Sequence, residues 1–207
     1  MISASFLSLK EPFHENLKKL ENTTIDFLHL DIMDGCFVEK KTWNVDDLLF
    51  LKDSKKPLDV HLMVEDVFSY IDEYSILNPE FVTFHYEAVE DIYLVIDYIH
   101  SYGIKAGISI KPDTPIEVLE PFYDLIDLVL IMTVEPGHGG QEFIEKTSLK
   151  VKELKYRKEK SHYRFLIEVD GGINDKTKEL VKDVDILVVG SFITKEENYQ
   201  KQIDLLR

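Results

Sequence analysis

Eight times along the chain a short apolar run is followed by a loop and then by a stretch with helical spacing. This alternation, the pattern of βα units, constrains the fold more than any other feature. The predicted strands are Ile2–Ser5, Phe27–Asp31, Leu58–Met63, Phe81–His85, Lys105–Ile110, Leu128–Thr133, Phe165–Val169 and Ile186–Val189. Runs such as Leu128-Val129-Leu130-Ile131-Met132 suit parallel strands covered on both faces. Helices are predicted over Phe13–Leu20, Asp46–Leu51, Val67–Leu77, Ala88–Tyr102, Pro115–Tyr123, Lys146–Lys160, Asp175–Lys182 and Asn198–Leu206. Gly103 is placed to cap the fourth, Pro115 to start the fifth, and Asn174 or Asp175 to cap the seventh. The expected class is α/β, as a single (β/α)8 TIM barrel over residues 1–207. A doubly wound open sheet gives the same alternation, so the count alone favours the barrel only moderately.

A chain of 207 residues has room for such a barrel with few insertions. The net charge of −15 argues against nucleic acid as a partner, since phosphates would be repelled by most of the surface. No segment approaches the roughly 20 continuous apolar residues of a membrane helix, and the first residues lack a secretory signal pattern. Cys36 is the only cysteine, which rules out an intramolecular disulfide. Together these features predict no membrane partner and a cytoplasmic location.

Seven of the nine glycines fall just after predicted strands: Gly35, Gly137, Gly139, Gly140, Gly171, Gly172 and Gly190. In a barrel those loops build the C-terminal face, where active sites form. Six of them follow strands six to eight, in the region where such barrels hold phosphate on backbone N–H groups. Any one pair could be an ordinary turn. Three consecutive glycine-bearing loops point to an anion cradle.

Residues at i and i+2 of a strand share a face, so His29 points the same way as Asp31, and His61 the same way as Met63. Asp170 ends strand seven. If the barrel closes, two imidazoles and two carboxylates meet at one mouth. That donor set suits one divalent metal ion, Zn²⁺ first, with Fe²⁺, Mn²⁺ or Co²⁺ as alternatives. Two carboxylates at a metal suggest epimerisation beside a carbonyl, with Asp31 and Asp170 as the proton-transfer pair around an enediolate. Met33, Met63 and Met132 also fall at these strand ends. They either fill irregular space or form a soft cap over the enediolate.

The blocks Ser3-Ala4-Ser5, His29-Leu30-Asp31-Ile32-Met33-Asp34-Gly35, Asp59-Val60-His61-Leu62-Met63-Val64, Phe84-His85-Tyr86-Glu87-Ala88, Leu130 to Gln141, Val169 to Asn174 and Val189-Gly190-Ser191 carry a family resemblance. Over nearly its whole length the chain resembles the ribulose-phosphate 3-epimerases. The resemblance implies that His29, Asp31, His61 and Asp170 hold the metal, and that Ser5 and His61 touch the sugar. It further implies that Gly137, His138, Gly139 and Gly140, the turn Asp170-Gly171-Gly172, and Gly190-Ser191 enclose the phosphorylated end. The implied reaction interconverts D-ribulose 5-phosphate and D-xylulose 5-phosphate, a step of the pentose phosphate pathway. The implied partner is a small phosphorylated ketose, and a homo-oligomer is the expected assembly. Ala4 stands where the family usually has proline, His138 where it has phenylalanine, and Glu39-Lys40 where it has Pro-Asn.

Rival readings remain at this level. One is an epimerase for a related phosphoketose such as D-allulose 6-phosphate. Another is a metal-free phosphate barrel, disfavoured because strand one carries no lysine to pair with Glu135. A third is a non-catalytic sugar-phosphate binder, which would not need every acid/base position. His85 reads equally as a second-layer residue or a ligand contact, His138 more as a tolerated surface residue, Cys36 as a loop thiol and Asp34 as turn chemistry.

Overall fold

Alternate side chains of a strand leave on opposite faces, and β2 (Phe27–Met33) uses both. Leu28, Leu30 and Ile32 join the layer between strands and helices, which leaves Phe27, His29, Asp31 and Met33 to turn inward. The same division holds around the sheet. The computed structural model covers residues 1–207, and its strands are β1 (Ile2–Ser5), β2, β3 (Leu58–Met63), β4 (Phe81–His85), β5 (Lys105–Ile110), β6 (Leu128–Met132), β7 (Leu166–Asp170) and β8 (Ile186–Val189). Each pairs in parallel with the next, and β1 closes on β8 to complete the barrel. The open-sheet alternative is thereby excluded.

The outer layer is built from helical stripes. Leu17 and Leu20 of α1 (Phe13–Glu21) and Ile71 and Tyr74 of α3 (Val67–Ser75) belong to one buried apolar cluster with the outward strand residues. Val95, Ile96 and Ile99 of α4 (Ile92–Ser101), Val151 and Leu154 of α5 (Thr147–Ser161) and Ile203 of α7 (Tyr199–Leu206) join the same cluster. The inside of the barrel is different. Phe27, Phe81, Leu128 and Ile186 form an apolar floor. Above it Ser3, His29, Asp59, Thr83, Ser109 and Glu168 are polar yet have no solvent exposure.

Helix form departs from the predicted pattern in several places. The fifth and seventh predicted helices are 3₁₀ turns, Ile116–Phe122 and Thr177–Val181. Pro121 inside the first removes a backbone donor that an α-helix would need. The second splits into α2 (Val45–Leu48) and a 3₁₀ turn over Leu49–Asp53. The fourth begins at Ile92 rather than Ala88, because the Asp91 side chain accepts from the Leu94 N–H at 3.1 Å and caps it there. A short helix, α6 (Ser191–Thr194), follows β8 and was not predicted. The α4 end is as expected, with Gly103 at φ +73° just past the last turn. No helix is long and apolar enough to cross a membrane.

Gly107 marks the tightest place inside the sheet. A Cβ there would lie 2.3 Å from Thr83 Oγ1 and 3.1 Å from Leu128 Cδ2. Gly107→Val is therefore expected to cost about 1–3 kcal/mol through overpacking. The check is a lower urea midpoint with an unchanged m-value.

Candidate active site

The register of the barrel brings the predicted residues together. Asp31 pairs with His61 across β2 and β3, and Met132 with Asp170 across β6 and β7. One ligand atom from each of His29, Asp31, His61 and Asp170 lies within 4.8 Å of the others. His29 Nε2 and His61 Nδ1 each stand 3.5 Å from Asp31 Oδ1, and His61 Nδ1 stands 3.9 Å from Asp170 Oδ2. A tetrahedral ion with ligands at about 2.0–2.1 Å has edges of about 3.3–3.4 Å. The spacing fits such an ion.

The donor atoms fit it too. His29 Nε2 and His61 Nδ1 are buried and lack any hydrogen-bond partner in the protein, and both face the cluster. A buried orphan of this kind is costly unless something binds it. The opposite nitrogen of His29 is engaged, since Nδ1 lies 2.7 Å from Asp59 Oδ2. Asp59 Oδ2 also accepts from Ser3 Oγ at 2.6 Å. Asp59 thus fixes the orientation of the His29 ring and leaves its Nε2 facing the cluster.

The field at the site attracts positive charge. Burial disfavours the His29 cation, but Asp59 and Asp31 outweigh it and raise its pKa well above the usual value. Burial likewise opposes ionisation of Asp31, yet His29 and His61 hold it well below the carboxylate range. Asp170 goes the other way, pushed up to about 7 by burial and by the nearby Asp31 charge. Glu168, buried beside Asp59, is raised well above the carboxylate range. Two carboxyls that face one cluster therefore differ in proton affinity.

A cavity of about 370 Å³ opens over this cluster. Its wall contains Ser5, Asp31, Met33, Met63, Met132 and Asp170, followed by Gly137, His138, Gly139, Gly140, Gly171, Gly172, Gly190 and Ser191. His29 and His61 lie beneath, fully buried. Every metal, acid/base and substrate-side residue expected from the sequence is thus in the wall or directly under it. Ser5 Oγ donates to Asp31 Oδ2 at 2.6 Å.

The loops are tied together by specific bonds. Thr133 Oγ1 donates to the carbonyls of Asp170 and Gly171, which ties the loop after β6 to the one after β7. Gln141 Nε2 donates to the carbonyls of Glu135 and His138. Gly171 and Gly172 sit at φ +122° and +68°. A Cβ would come within 2.4 Å of Val134 at the first and 2.5 Å of the Phe143 nitrogen at the second, so only glycine fits. At the other rim, Asp34 Oδ1 accepts from the N–H groups of Cys36 and Phe37, and Oδ2 from that of Glu65. Asp34 is turn chemistry, and Cys36 is an exposed free thiol.

His85 is second-layer: it is buried, with Nε2 2.9 Å from His61 Nε2 and Nδ1 3.3 Å from Glu87 Oε2. Burial pushes His85 down to about 4. Burial opposes ionisation of Glu87 as well, yet His85, Thr114 and the Lys111 N–H draw it down to about 2. Three residues escaped the sequence reading. Asp59 and Glu168 are two positions before His61 and Asp170, so strand periodicity already put them on the inward face. Lys195 is the one lysine or arginine in the cavity wall, and nothing in its local sequence marks it.

An open pocket at the C-terminal mouth of a closed parallel barrel, floored by histidines and carboxylates, is how barrel enzymes are built. The model of the ribulose-phosphate 3 epimerase family matches residues 1–194. Ribulose-phosphate 3-epimerase of Bacillus subtilis (strain 168) is 38% identical over 213 residues, covering 100% of this chain and 95% of the relative. The Escherichia coli (strain K12) protein of the same name is 34% identical, covering 100% and 92%. Among solved structures, 3-hexulose-6-phosphate synthase from Salmonella typhimurium superposes with a TM-score of 0.66 at 15% identity, over 99% of this chain and 95% of that one. That likeness concerns the fold alone. The chain belongs to the ribulose-phosphate 3-epimerase family and is an isomerase.

The raised Asp170 gives a test in the metal-free protein. A carboxyl that keeps its proton in the folded chain adds stability below the ordinary carboxylate pKa and loses it as pH rises through about 7. After chelation, the urea midpoint of the wild type is expected to fall between about pH 4 and pH 7 more steeply than that of Asp170→Asn. A saturating divalent ion is expected to reverse the order at neutral pH.

Proposed function

We propose that the protein interconverts D-ribulose 5-phosphate and D-xylulose 5-phosphate by moving one proton off C3 and returning another on the opposite face. The observation that carries this reading is the pair Asp31 and Asp170, two carboxyls that share one cluster with two histidines and both line the cavity. Asp31 is suited to accept the C3 proton on one face and Asp170 to return one on the other. The reverse reaction exchanges the two roles. Neutral substrate carbon goes to an enediolate and back, so no redox partner is consumed.

His29 Nε2, Asp31, His61 Nδ1 and Asp170 would hold one divalent ion, with Zn²⁺ favoured by the imidazoles and Fe²⁺, Mn²⁺ or Co²⁺ as alternatives. Such an ion supplies Lewis-acid polarisation of the ketose carbonyl. Ser5 stands beside Asp31 to meet the sugar. Met33, Met63 and Met132 cover the reacting carbons with polarisable, water-excluding surface. The backbone of Gly137–Gly140, Gly171-Gly172 and Gly190-Ser191 receives the phosphate, and His138 borders it. Lys195 supplies positive charge there, its Nζ 3.8 Å from where a Cβ on Gly140 would be. In a chain of net charge −15, that local cation offsets the field a phosphate must enter.

Asp31→Asn and Asp170→Asn are each expected to lower kcat by about 10²–10⁴-fold. In D₂O the wild type is expected to incorporate deuterium at C3 with inversion. Near-wild-type turnover in either variant would remove the two-carboxylate assignment. Lys195→Gln is expected to raise KM for the phosphorylated ketose by about tenfold with kcat little changed, as for loss of a uniform binding contact.

A further inference from the structure

A chain of polar contacts leads from buried His61 out to the rim, and the proton transfers do not use it. His61 Nε2 lies 2.9 Å from Nε2 of His85, at the end of β4. His85 Nδ1 lies 3.3 Å from Glu87 Oε2. Neither imidazole is exposed to solvent. The second oxygen of Glu87 has other work: Oε1 accepts from the Lys111 N–H at 2.8 Å and from the Thr114 hydroxyl. The two oxygens of one carboxylate thus serve separate partners.

Two ring nitrogens at hydrogen-bond distance share one proton, and an isolated histidine pair leaves open which nitrogen carries it. Carboxylates face both ends of the pair, and Glu87, 3.3 Å from His85 Nδ1, stands nearer than Asp31, 3.5 Å from His61 Nδ1, so Glu87 sets the direction. Ionised Glu87 has only acceptors, so His85 Nδ1 must bear the hydrogen and donate it. His85 Nε2 is then the acceptor, and His61 Nε2 the donor to it. The remaining nitrogen of His61, Nδ1, keeps a bare lone pair. This is the buried atom without a partner, 3.5 Å from Asp31 Oδ1 and 3.9 Å from Asp170 Oδ2.

We propose that Glu87, acting through His85, is a positioning residue that fixes the tautomer of His61 and turns its Nδ1 lone pair toward the metal cluster. The proposal rests on reading His61 as a metal ligand. His29 is set in the same sense by a direct carboxylate, Asp59, whereas His61 is set at one remove. The arrangement also links the ligand to the rim. The Phe37 ring lies 4.8 Å from the His85 ring, and Lys111 Nζ lies 4.2 Å from the Phe37 ring.

Glu87→Gln tests this with little change of shape. Its amide oxygen can keep the bonds from Lys111 and Thr114, while its NH₂ presents a donor to His85 Nδ1. Every hydrogen in the chain must then reverse, which places one on His61 Nδ1. Nitrogen-15 NMR of the metal-free protein at mildly alkaline pH is expected to show His61 protonated on Nε2 in the wild type and on Nδ1 in Glu87→Gln. The Kd for Zn²⁺, from competition with a chromophoric chelator, is expected to rise about 10–100-fold in Glu87→Gln. Thr114→Val, which removes only a loop bond, is expected to keep the wild-type Kd. A wild-type tautomer and Kd in Glu87→Gln, or an equal loss of affinity in Thr114→Val, would overturn the proposal. Failure of the wild type to bind Zn²⁺ would count against the metal reading itself, and the tautomer, measured without metal, would still decide the relay.

Discussion

His29 stands between two carboxylates, with Nδ1 2.7 Å from Asp59 and Nε2 3.5 Å from Asp31, and it has no contact with water. Buried charges persist only when they are compensated, so this imidazole makes it tolerable to keep Asp59 and Asp31 inside a barrel. Asp59 fixes the ring, the ring supports Asp31, and Asp31 receives Ser5 and faces His61. The polar interior rests on the apolar floor of Phe27, Phe81, Leu128 and Ile186, which shields it from the opposite mouth. Stability and chemistry therefore compete for the same few residues.

Much of this was legible because strand periodicity is a strict rule. Once β2 and β3 were placed, His29, Asp31, His61 and Met63 had to share the inner face, whatever the loops did. The same rule reached Asp59 and Glu168, but a carboxylate deep in a strand carries no signal of its own without the partner across the sheet. The pairing of His29 with Asp59 depends on parallel register, which one sequence does not display. Helix form was less legible. Periodicity found the apolar stripes over Ile116–Phe122 and Thr177–Val181, yet apolar spacing does not separate a 3₁₀ turn from an α-helix this short.

The glycine-bearing loops illustrate a different limit. Their clustering after the last three strands pointed to an anion cradle, and the cavity wall contains all of them. The bonds that shape that wall come from elsewhere: Thr133 holds the Asp170 and Gly171 carbonyls, and Val134 and Phe143 close off the space beside Gly171 and Gly172. Lys195 comes to the cradle from the C-cap of α6, the short helix after β8. The departures at Ala4 and His138 leave the four-residue cluster intact. His85 shows the same dependence on three dimensions, since only the fold reveals that it sits behind His61 rather than in the cavity.

Two histidines and two aspartates are proposed to share one divalent ion in the geometry their orphaned nitrogens leave open. A crystal structure of the Zn²⁺-loaded protein, with anomalous scattering recorded at the zinc edge, tests it most directly. The account requires one strong peak at about 2.0–2.2 Å from His29 Nε2, Asp31, His61 Nδ1 and Asp170. A peak elsewhere, or ligation through His29 Nδ1 or His61 Nε2, would contradict it.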